Sequence, residues 1–299
     1  MFNINYINFD ENIYKSLLKK PSGKLIKARA NAHAHYDNIV SNLSNYLSNI
    51  PYFDKTNSLF YQMPKVHSEL YNLYDSVSIN VNNLKKEIKE MTVTNPKTKA
   101  GLICPYCGIT RNSLHDLDHF MPRSKYPEFS ILSNNLIYVC FECNQTFKKN
   151  EFLDSSKPAI RKFLNPYYDS LDEEEIMICN ITSVGIILNV EYIANPKLIS
   201  KNKYLYEVTK NHIKSLCLSE RYTKNILRDL LDKFLNSFND KSIKTHRRIR
   251  NFTNNEAQNY INNKIDELSN VSINNFELLF WREFINCTKY FNSIKGKDL

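Results

Sequence analysis

Four cysteines with the spacing of metal ligands form the most informative part of this chain. Cys104 and Cys107 make one Cys-x-x-Cys pair, and Cys140 and Cys143 make a second. Two intervening residues let both sulfurs of a turn face one ion, and four thiolates match a tetrahedral structural zinc site. Such a closed site leaves no coordination position for catalysis. The sequence therefore predicts a structural Zn²⁺, with any chemistry performed by residues between the pairs.

Two other interpretations of these cysteines stay open. Cysteine packs as a small hydrophobic residue, so four reduced cysteines in a core would also fit the sequence. A sulfur-ligated iron site would use the same ligands, although the polar residues between the pairs give it no support. Three further cysteines are predicted to be free thiols in the core: Cys179, Cys217 and Cys287.

The residues in and between the cysteine pairs follow a recognisable order. CPYC is followed by DLDHFMPRS, then by SNNLIYVC, and finally by CFECNQTFKK. This order resembles the HNH, or ββα-metal, nucleases, in which Asp-His ends a first strand, Asn precedes a second strand, and the second cysteine pair opens a helix. The resemblance covers residues 101–150. It implies metal-dependent hydrolysis of phosphodiester bonds.

The resemblance gives individual residues roles that their chemistry can fill. A neutral imidazole accepts a proton near neutral pH, so His119 is the expected general base. Asp118 and Asn144 would hold a catalytic Mg²⁺ or Mn²⁺, because carboxylate and amide oxygens suit hard cations. Asn135 would brace the loop beside His119, although the adjacent Asn134 could do so instead. Asn144 stands where His is the usual residue of the signature, which favours Mg²⁺ or Mn²⁺ over softer metals.

Basic residues near this motif are the predicted substrate contacts. Arg123 and Lys125 follow His119 in the same loop, so we expect them beside the substrate phosphate. Lys148 stands about one helical turn after Asn144, where a lysine could reach a phosphate or be merely solvated. An Asp-His pair alone would more often be an exposed turn, but its position between two cysteine pairs favours a functional role.

The overall charge also favours a polyanionic partner. The formal net charge is +9 and the isoelectric point is near 9.0, which suits DNA, with RNA not excluded. The densest basic stretch, KSIKTHRRIR at residues 241–250, could follow a nucleic-acid backbone or pair with acids such as Asp232 and Asp240. No code for reading bases is visible, so the target sequence is not predicted.

Composition and segment lengths also bear on the cellular location. No run of residues approaches the roughly 20 apolar residues that span a bilayer. The start, MFNINYINFDENIYK, has neither a basic leader nor an apolar signal core. Unpaired cysteines and a thiolate-bound metal both need a reducing compartment. The sequence therefore predicts a cytoplasmic protein with no membrane partner.

The predicted fold is mainly α with a small α+β insert, a ββα-metal core with two zinc-binding cysteine pairs flanked by helical segments. Residues 1–98 are predicted as a helical region, 99–169 as the zinc-bound nuclease module, and 170–299 as mostly helical with a short hairpin. The apolar periodicity predicts one helix between Lys24 and Leu47 and a second from Val66 to Ile88.

The region after the module has its own pattern. Residues 176–193 resemble a hairpin with Gly185 in or near its turn. The apolar residues from Ile226 to Leu235 have helical spacing, and Ser219 is a predicted cap of that helix. Phe276–Phe291 is predicted as a packed helix containing Trp281; stacking of Trp281 on a nucleobase is the weaker alternative.

The predicted function is that of a metal-dependent HNH-type DNA endonuclease. A ribonuclease or toxin is one alternative, and a non-catalytic zinc-dependent nucleic-acid-binding module is another. The long helical flanks exceed what catalysis needs and could gate DNA entry or dock a second protein. Resemblance to nuclease subunits of Septu-like antiphage systems implies that this partner is an ATPase. The sequence has no Gly-Lys phosphate-binding loop, so any ATP dependence would come from that partner.

Overall fold

The computed structural model describes residues 1–8, 10–19, 28–49, 52, 56–94, 102–111, 116–157, 160–243, 246–268 and 270–299. The chain forms two compact units, which are described separately below. One contains Asn3–Ser170, and the other contains Leu171–Leu299 together with Met1–Phe2. The predicted boundary between residues 98 and 99 lies outside the described residues.

Short helices make up the first part of the Asn3–Ser170 unit. They are α1 Glu11–Tyr14, which continues as a π-helical turn over Lys15–Lys19, α2 Ala30–Ala34, α3 Tyr36–Ser48, α4 Pro64–Tyr71 and α5 Ile79–Val93. The helix predicted between Lys24 and Leu47 is therefore two helices where it is described. Residues 20–27, including its predicted start, lie outside the described part.

The single helix predicted from Val66 to Ile88 is wrong, because the chain leaves the helix between α4 and α5. Pro64 opens α4 at a position where its missing N–H is not needed. Leu73 is buried in the connection, whereas Val77 is 92% exposed. Apolar residues keep helical spacing through this connection, but its backbone is not helical. The last residue of α4, Tyr71, and Tyr74 of the connection both line the cavity that contains His119.

Two short strand pairs follow these helices in the described part of this unit. Strands β1 Leu102–Ile103 and β2 Thr110–Arg111 are antiparallel. Strands β3 Asp116–His119 and β4 Leu136–Val139 are antiparallel as well, with His119 opposite Leu136. A seven-residue π-helical segment, Glu142–Lys148, then begins beside the second cysteine pair. The predicted first strand, second strand and following helix are all present in this order.

A small apolar cluster supports β3 and β4. Leu84 and Ile88 of α5 pack with Leu117 of β3 and Leu136 of β4, and all four are buried. Leu117 alternates with Asp116 and Asp118, because successive side chains of a strand point to opposite faces. The apolar residue therefore anchors the strand, and the two carboxylates lie on its other face.

The segment after residue 160 also supports β4. The Tyr167 hydroxyl donates to the carbonyl oxygen of Leu136 at 2.6 Å. Arg161 and Asp169 form a fully buried ion pair, and the Arg161 guanidinium also donates to the Phe163 carbonyl at 2.7 Å. The Asp169 carboxylate also accepts from the Asn165 amide at 2.6 Å, so neighbouring groups share in holding this buried pair.

The second unit is built on a β-hairpin and helices. The predicted hairpin is confirmed as β5 Met177–Val184 and β6 Ile187–Ala194. Gly185 has φ +57° in the turn, which a two-residue hairpin connection commonly requires. The helices are α6 Leu198–Lys201, α7 Lys203–Ser215, α8 Leu218–Asn225, which continues through a π-helical turn Ile226–Leu230 into α9 Leu231–Ser237, α10 Asn254–Glu267, α11 Phe276–Phe284 and α12 Thr288–Ile294.

Two local predictions in this unit are corrected. Ser219 does not cap a helix, because α8 already begins at Leu218 and the Ser219 hydroxyl accepts from the Tyr192 amide at 2.9 Å. The helix predicted over Phe276–Phe291 is two helices, α11 and α12. Trp281 is 2% exposed and packs against Phe280 and Phe284, so it belongs to the core and is not available to a nucleobase.

The basic stretch at 241–250 forms ion pairs in its described part. Arg247 lies 2.6 Å from Asp232, and Arg250 lies 3.0 Å from Glu256. Lys244 lies outside the described residues. Among the three single cysteines, Cys179 is buried, whereas Cys217 and Cys287 are only partly buried.

The structure confirms a mainly helical fold with small antiparallel strand pairs. It also contains the predicted four-cysteine cluster. Within the described residues, no helix has both the length and the apolar character needed to cross a membrane.

Candidate metal centre and acid–base site

The four paired cysteines meet at one point. The sulfurs of Cys104, Cys107, Cys140 and Cys143 all lie within 4.8 Å of one another, and all four residues are buried. Sulfurs that share a tetrahedral zinc at about 2.3 Å are roughly 4 Å apart. The cluster therefore could hold a zinc ion with only small adjustments of the side chains.

Backbone geometry around the first pair explains how two sulfurs can face one ion. The Gly108 amide donates to the Cys104 carbonyl at 2.7 Å, and the Cys104 amide donates to the Ile109 carbonyl at 3.2 Å. Gly108 has φ +66°, a conformation that glycine adopts without steric cost. The Cys140 amide approaches the Cys104 sulfur at 3.4 Å, which links the two pairs directly. The cluster thus joins the turn before β3 to the end of β4.

The imidazole of His119 is fixed at the end of β3. Its Nε2 lies 2.9 Å from the carbonyl oxygen of Ser130, and its ring packs edge-on against Tyr74 with centroids 4.6 Å apart. A carbonyl oxygen can only accept, so Nε2 carries the proton. The neutral ring therefore presents Nδ1 as a proton acceptor.

Charge and burial around His119 favour the neutral ring. Burial lowers the pKa of His119 to about 3, and the positive charges of Arg123 and Lys148 act in the same direction. The hydrogen bond to Ser130 partly offsets this shift. An anionic phosphate placed beside the ring would raise its pKa, because a nearby negative charge favours the protonated form.

Asn135 holds the loop that follows His119. Its Oδ1 accepts from the Met121 amide at 2.8 Å, and its Nδ2 donates to the carbonyls of Met121 and Phe129 at 3.0 and 3.1 Å. Asn134 has other partners: its side-chain oxygen accepts from Ser133 at 2.8 Å. The bracing contacts to the loop are therefore made by Asn135 rather than by its neighbour.

Asp118 takes part in a buried hydrogen-bond network. Its Oδ2 accepts from the Tyr106 hydroxyl at 2.7 Å, and its Oδ1 accepts from the Lys148 ammonium at 3.1 Å. The same ammonium donates to the His119 carbonyl oxygen at 2.9 Å. Lys148 is fully buried, so the structure places it beneath the strand and not on a surface open to substrate. Tyr106 stands inside the first cysteine pair, so the metal cluster and Asp118 are mechanically connected.

Asn144 lies next to a second carboxylate, Asp116. Asn144 is 8% exposed, and its Nδ2 is 3.5 Å from Oδ2 of Asp116. The Gln145 amide approaches the same oxygen at 3.3 Å. Both contacts are long for hydrogen bonds, so they hold Asp116 only weakly.

These groups line one open cavity of about 340 Å³. Asp116, Asp118, His119, Arg123 and Asn144 all contribute to its wall. The predicted general base, the predicted cation ligands and one predicted substrate contact are therefore brought together. The cavity has room for a hydrated cation and a phosphate group, since a water molecule takes roughly 30 Å³ of liquid volume.

The two predicted substrate contacts of the loop lie in different places. Arg123 packs over the Tyr71 ring, 4.1 Å from its centroid, and lies 2.8 Å from Asp75. Lys125 is exposed and lines a separate cavity that also contains Lys162. Arg123 is therefore at the wall of the His119 cavity, and Lys125 is not.

Sequence reasoning missed three residues of this site. Asp116 precedes Asp118 by two positions, and the alternation of side chains along a strand could have identified it. Tyr106 lies between Cys104 and Cys107, and this position in the sequence could have identified it as a neighbour of the cluster. Tyr74 reaches His119 only because the chain turns between α4 and α5, and apolar residues at helical spacing conceal that turn.

Comparison with known proteins finds a similarity over part of the chain. No family model matches the chain, and no solved structure matches it. The chain is 30% identical over 128 residues to "Protein ea31" of Escherichia phage lambda, which covers 41% of this chain and 40% of the phage protein. The chain thus matches less than half the length of this relative, whose name states no activity.

Proposed function

We propose that this protein is a metal-dependent nuclease of the HNH type that hydrolyses DNA phosphodiester bonds. The observation that supports this best is the fixed imidazole of His119. Its Nε2 is held by the Ser130 carbonyl, so Nδ1 is the proton acceptor in a cavity that also contains carboxylate and amide oxygens. A general base, oxygen ligands for a hard cation and a cationic side chain are the groups that phosphodiester hydrolysis requires.

His119 performs the proton transfer in this proposal. A water molecule beside Nδ1 gives up its proton to the imidazole as its oxygen attacks phosphorus, and the bond between phosphorus and the 3′ oxygen breaks. The products are a 5′-phosphate and a 3′-hydroxyl, with the departing 3′ oxygen protonated by solvent. Asn135 keeps the loop in place during this step, because it bonds backbone groups on both sides of the loop.

The proposed cation is Mg²⁺ or Mn²⁺, bound through Asp118 and Asn144. A carboxylate offers about four lone-pair sites, so Asp118 can bind a cation while it also accepts from Lys148 and Tyr106. When bound, such an ion polarises the scissile phosphate and stabilises charge on the leaving oxygen. Arg123 is placed to orient the phosphate, since a guanidinium binds phosphate oxygens in pairs.

Zinc in the four-cysteine cluster has a structural role in this proposal. The cluster closes the ends of β3 and β4 around the cavity through Tyr106 and the Cys140–Cys104 contact. With four sulfur ligands, the ion has no open position for water. The cluster therefore maintains the geometry on which His119 depends and takes no part in hydrolysis.

RNA cleavage and binding without cleavage are the competing functions. The metal chemistry does not distinguish DNA from RNA, because the choice depends on the shape of the groove. A role in antiphage defence with a partner ATPase rests on resemblance to Septu-like systems, and the match to a phage protein adds nothing to it. Co-purification of an ATPase with the tagged protein from its native host would support that role.

The test of the proposed function is a cleavage assay on four substrates. Zinc-loaded protein is incubated with supercoiled plasmid, linear duplex, single-stranded DNA and RNA, in Mg²⁺, in Mn²⁺ and in buffer freed of divalent cations. Zinc content is measured before and after, so that loss of the structural metal is not mistaken for loss of the catalytic cation. Cation-dependent nicking or cutting of DNA supports the proposal. Cleavage of RNA alone would favour the ribonuclease, and cleavage of none would contradict both.

A further inference from the structure

Two carboxylates of β3 face the proposed cation site, but their surroundings differ. Asp116 and Asp118 are two residues apart on a strand, so their side chains project from the same face. Asp118 is 3% exposed and forms an ion pair with the buried ammonium of Lys148. Asp116 is partly exposed at the cavity wall. Among the described residues, no basic side chain forms an ion pair with Asp116.

This difference decides which residue attracts a cation. The negative charge of Asp118 is balanced by Lys148, so the pair has no net charge. Asn144 is neutral, and Arg123 is balanced by Asp75. A dication must give up part of its hydration, and it is repelled by an ammonium a few ångströms away. Asp118 and Asn144 alone would therefore attract it poorly.

Asn144 presents an amide oxygen to the same cavity. It is more than nine-tenths buried and lines the cavity, yet within the described part of the chain its Oδ1 accepts no hydrogen bond. This Oδ1 is not one of the buried polar atoms that lack a partner, so it meets the solvent of the cavity, where a cation can replace water. Its Nδ2 makes only the 3.5 Å contact to Asp116. A cation bound to Oδ1 of Asn144 and Oδ2 of Asp116 would therefore break only this weak contact of Asn144.

We propose that Asp116 is a further ligand of the divalent cation that Asp118 and Asn144 bind, and that it supplies the uncompensated charge of the site. The inference rests on the cation of the proposed function. Asp116 binds through Oδ2, which is released from its weak contacts with the amides of Asn144 and Gln145. Asp118 remains tied to Lys148 and keeps the strand end in place.

The test measures Mn²⁺ binding directly, without reference to cleavage. Zinc-loaded wild type, Asp116→Asn and Asp37→Asn are titrated with Mn²⁺, and free Mn²⁺ is followed by electron paramagnetic resonance. Asp37 is an exposed carboxylate of the same unit, so its variant controls for the loss of one surface charge. We expect Asp116→Asn to weaken Mn²⁺ binding by at least about tenfold. Asp37→Asn should bind within about twofold of wild type.

The inference and the proposed function fail in different ways. If Asp116→Asn binds Mn²⁺ like wild type, or if wild type binds none at millimolar concentration, the role of Asp116 is wrong. If Asp116→Asn binds weakly and wild type binds Mn²⁺ but cuts no substrate, Asp116 is a ligand and the nuclease proposal is wrong. Equal zinc content and equal melting temperature in all three proteins exclude unfolding as the cause of weak binding.

Discussion

The ammonium of Lys148 lies 3.1 Å from Oδ1 of Asp118, and both side chains are almost completely buried. The same ammonium donates to the backbone carbonyl of His119 at 2.9 Å. One lysine therefore ties a cavity carboxylate to the backbone of the adjacent histidine. Because both side chains are almost completely removed from water, each charge depends on the other for its stability.

Replacement of Lys148 by methionine should destabilise the protein strongly. Methionine keeps most of the side-chain volume but leaves the buried carboxylate of Asp118 without its counter-ion. Breaking a buried pair in this way costs about 3–5 kcal/mol. The free energy of unfolding is measured by urea titration at neutral pH. Lys149→Met, at the exposed neighbouring position, is the control and should change stability by less than about 0.5 kcal/mol. Equal stability of the two variants would show that the buried pair is not formed.

The four-cysteine cluster should hold one zinc ion per chain. Cys143→Ser removes one thiolate, so we expect loss of zinc together with a large fall in melting temperature, because metal binding is coupled to folding. Elemental analysis of purified protein and thermal unfolding are the measurements. Cys287→Ser changes a partly buried cysteine outside the cluster and should keep the zinc. Full zinc content in Cys143→Ser would show that these cysteines are core residues instead.

The strand pair of the site could be predicted because its signals are local. Each short element is specified by nearby residues: Asp118-His119, the apolar run after Asn135, and the two cysteine pairs. Accordingly, β3, β4 and the Glu142–Lys148 helix follow in the expected order. The position of Lys148 could not be predicted in the same way. Its burial depends on a contact with Asp118, 30 positions earlier, and sequence spacing contains no information on such a pairing.

Asp75 should weaken binding of nucleic acid by competing for Arg123. The two side chains lie 2.8 Å apart, with Asp75 more than half exposed. An exposed ion pair contributes about 0.2–1 kcal/mol, so Asp75→Asn should raise affinity for a short DNA duplex by roughly 1.5- to 5-fold. Fluorescence anisotropy in low salt measures this affinity. Arg123→Ala should lower it, and unchanged affinity in both variants would remove Arg123 from the substrate site.

Glu128 should make stability depend on pH. Its side chain is fully buried and accepts from Asn42 at 2.7 Å and from Ser58 at 2.9 Å. Burial nevertheless raises the pKa of Glu128 above its usual value of 4.5. At pH values between 4.5 and the higher pKa of the folded state, Glu128 is more often protonated in the folded protein than in the unfolded chain. The contribution of Glu128 to stability therefore falls as pH rises through this interval, and it is constant above it.

The comparison of wild type with Glu128→Gln isolates this effect. Glutamine does not titrate, so the difference in unfolding free energy between the two proteins should change across the interval by at most about 1.4 kcal/mol per pH unit. The stability of wild type increases relative to that of the variant as the pH is lowered. Urea unfolding of both zinc-loaded proteins from pH 4.5 upward measures the difference. Parallel stability curves would show that Glu128 has no raised pKa.

The helical flanks were predicted less well than the site, for a physical reason. Apolar residues at helical spacing from Val66 to Ile88 favoured one helix, yet the chain turns after Tyr71 and exposes Val77. Ser219 was predicted as a cap because it stands ahead of Glu220 and the following helical turn, but its hydroxyl accepts from a strand amide instead. The spacing of apolar residues predicts which face of a helix is buried, whereas tertiary contacts decide where the helix ends.

His119 is the residue on which the proposed nuclease depends most directly. Plasmid cleavage in Mn²⁺ is compared for wild type, His119→Ala and His33→Ala, each zinc-loaded and with its melting temperature measured. His33 is an exposed histidine of the same unit whose ring nitrogen also meets a backbone carbonyl, that of Leu18. We expect His119→Ala to lose at least about 100-fold in rate. His33→Ala should cut like wild type. Cleavage by a folded His119→Ala protein at the wild-type rate would contradict the assignment of His119 as the general base.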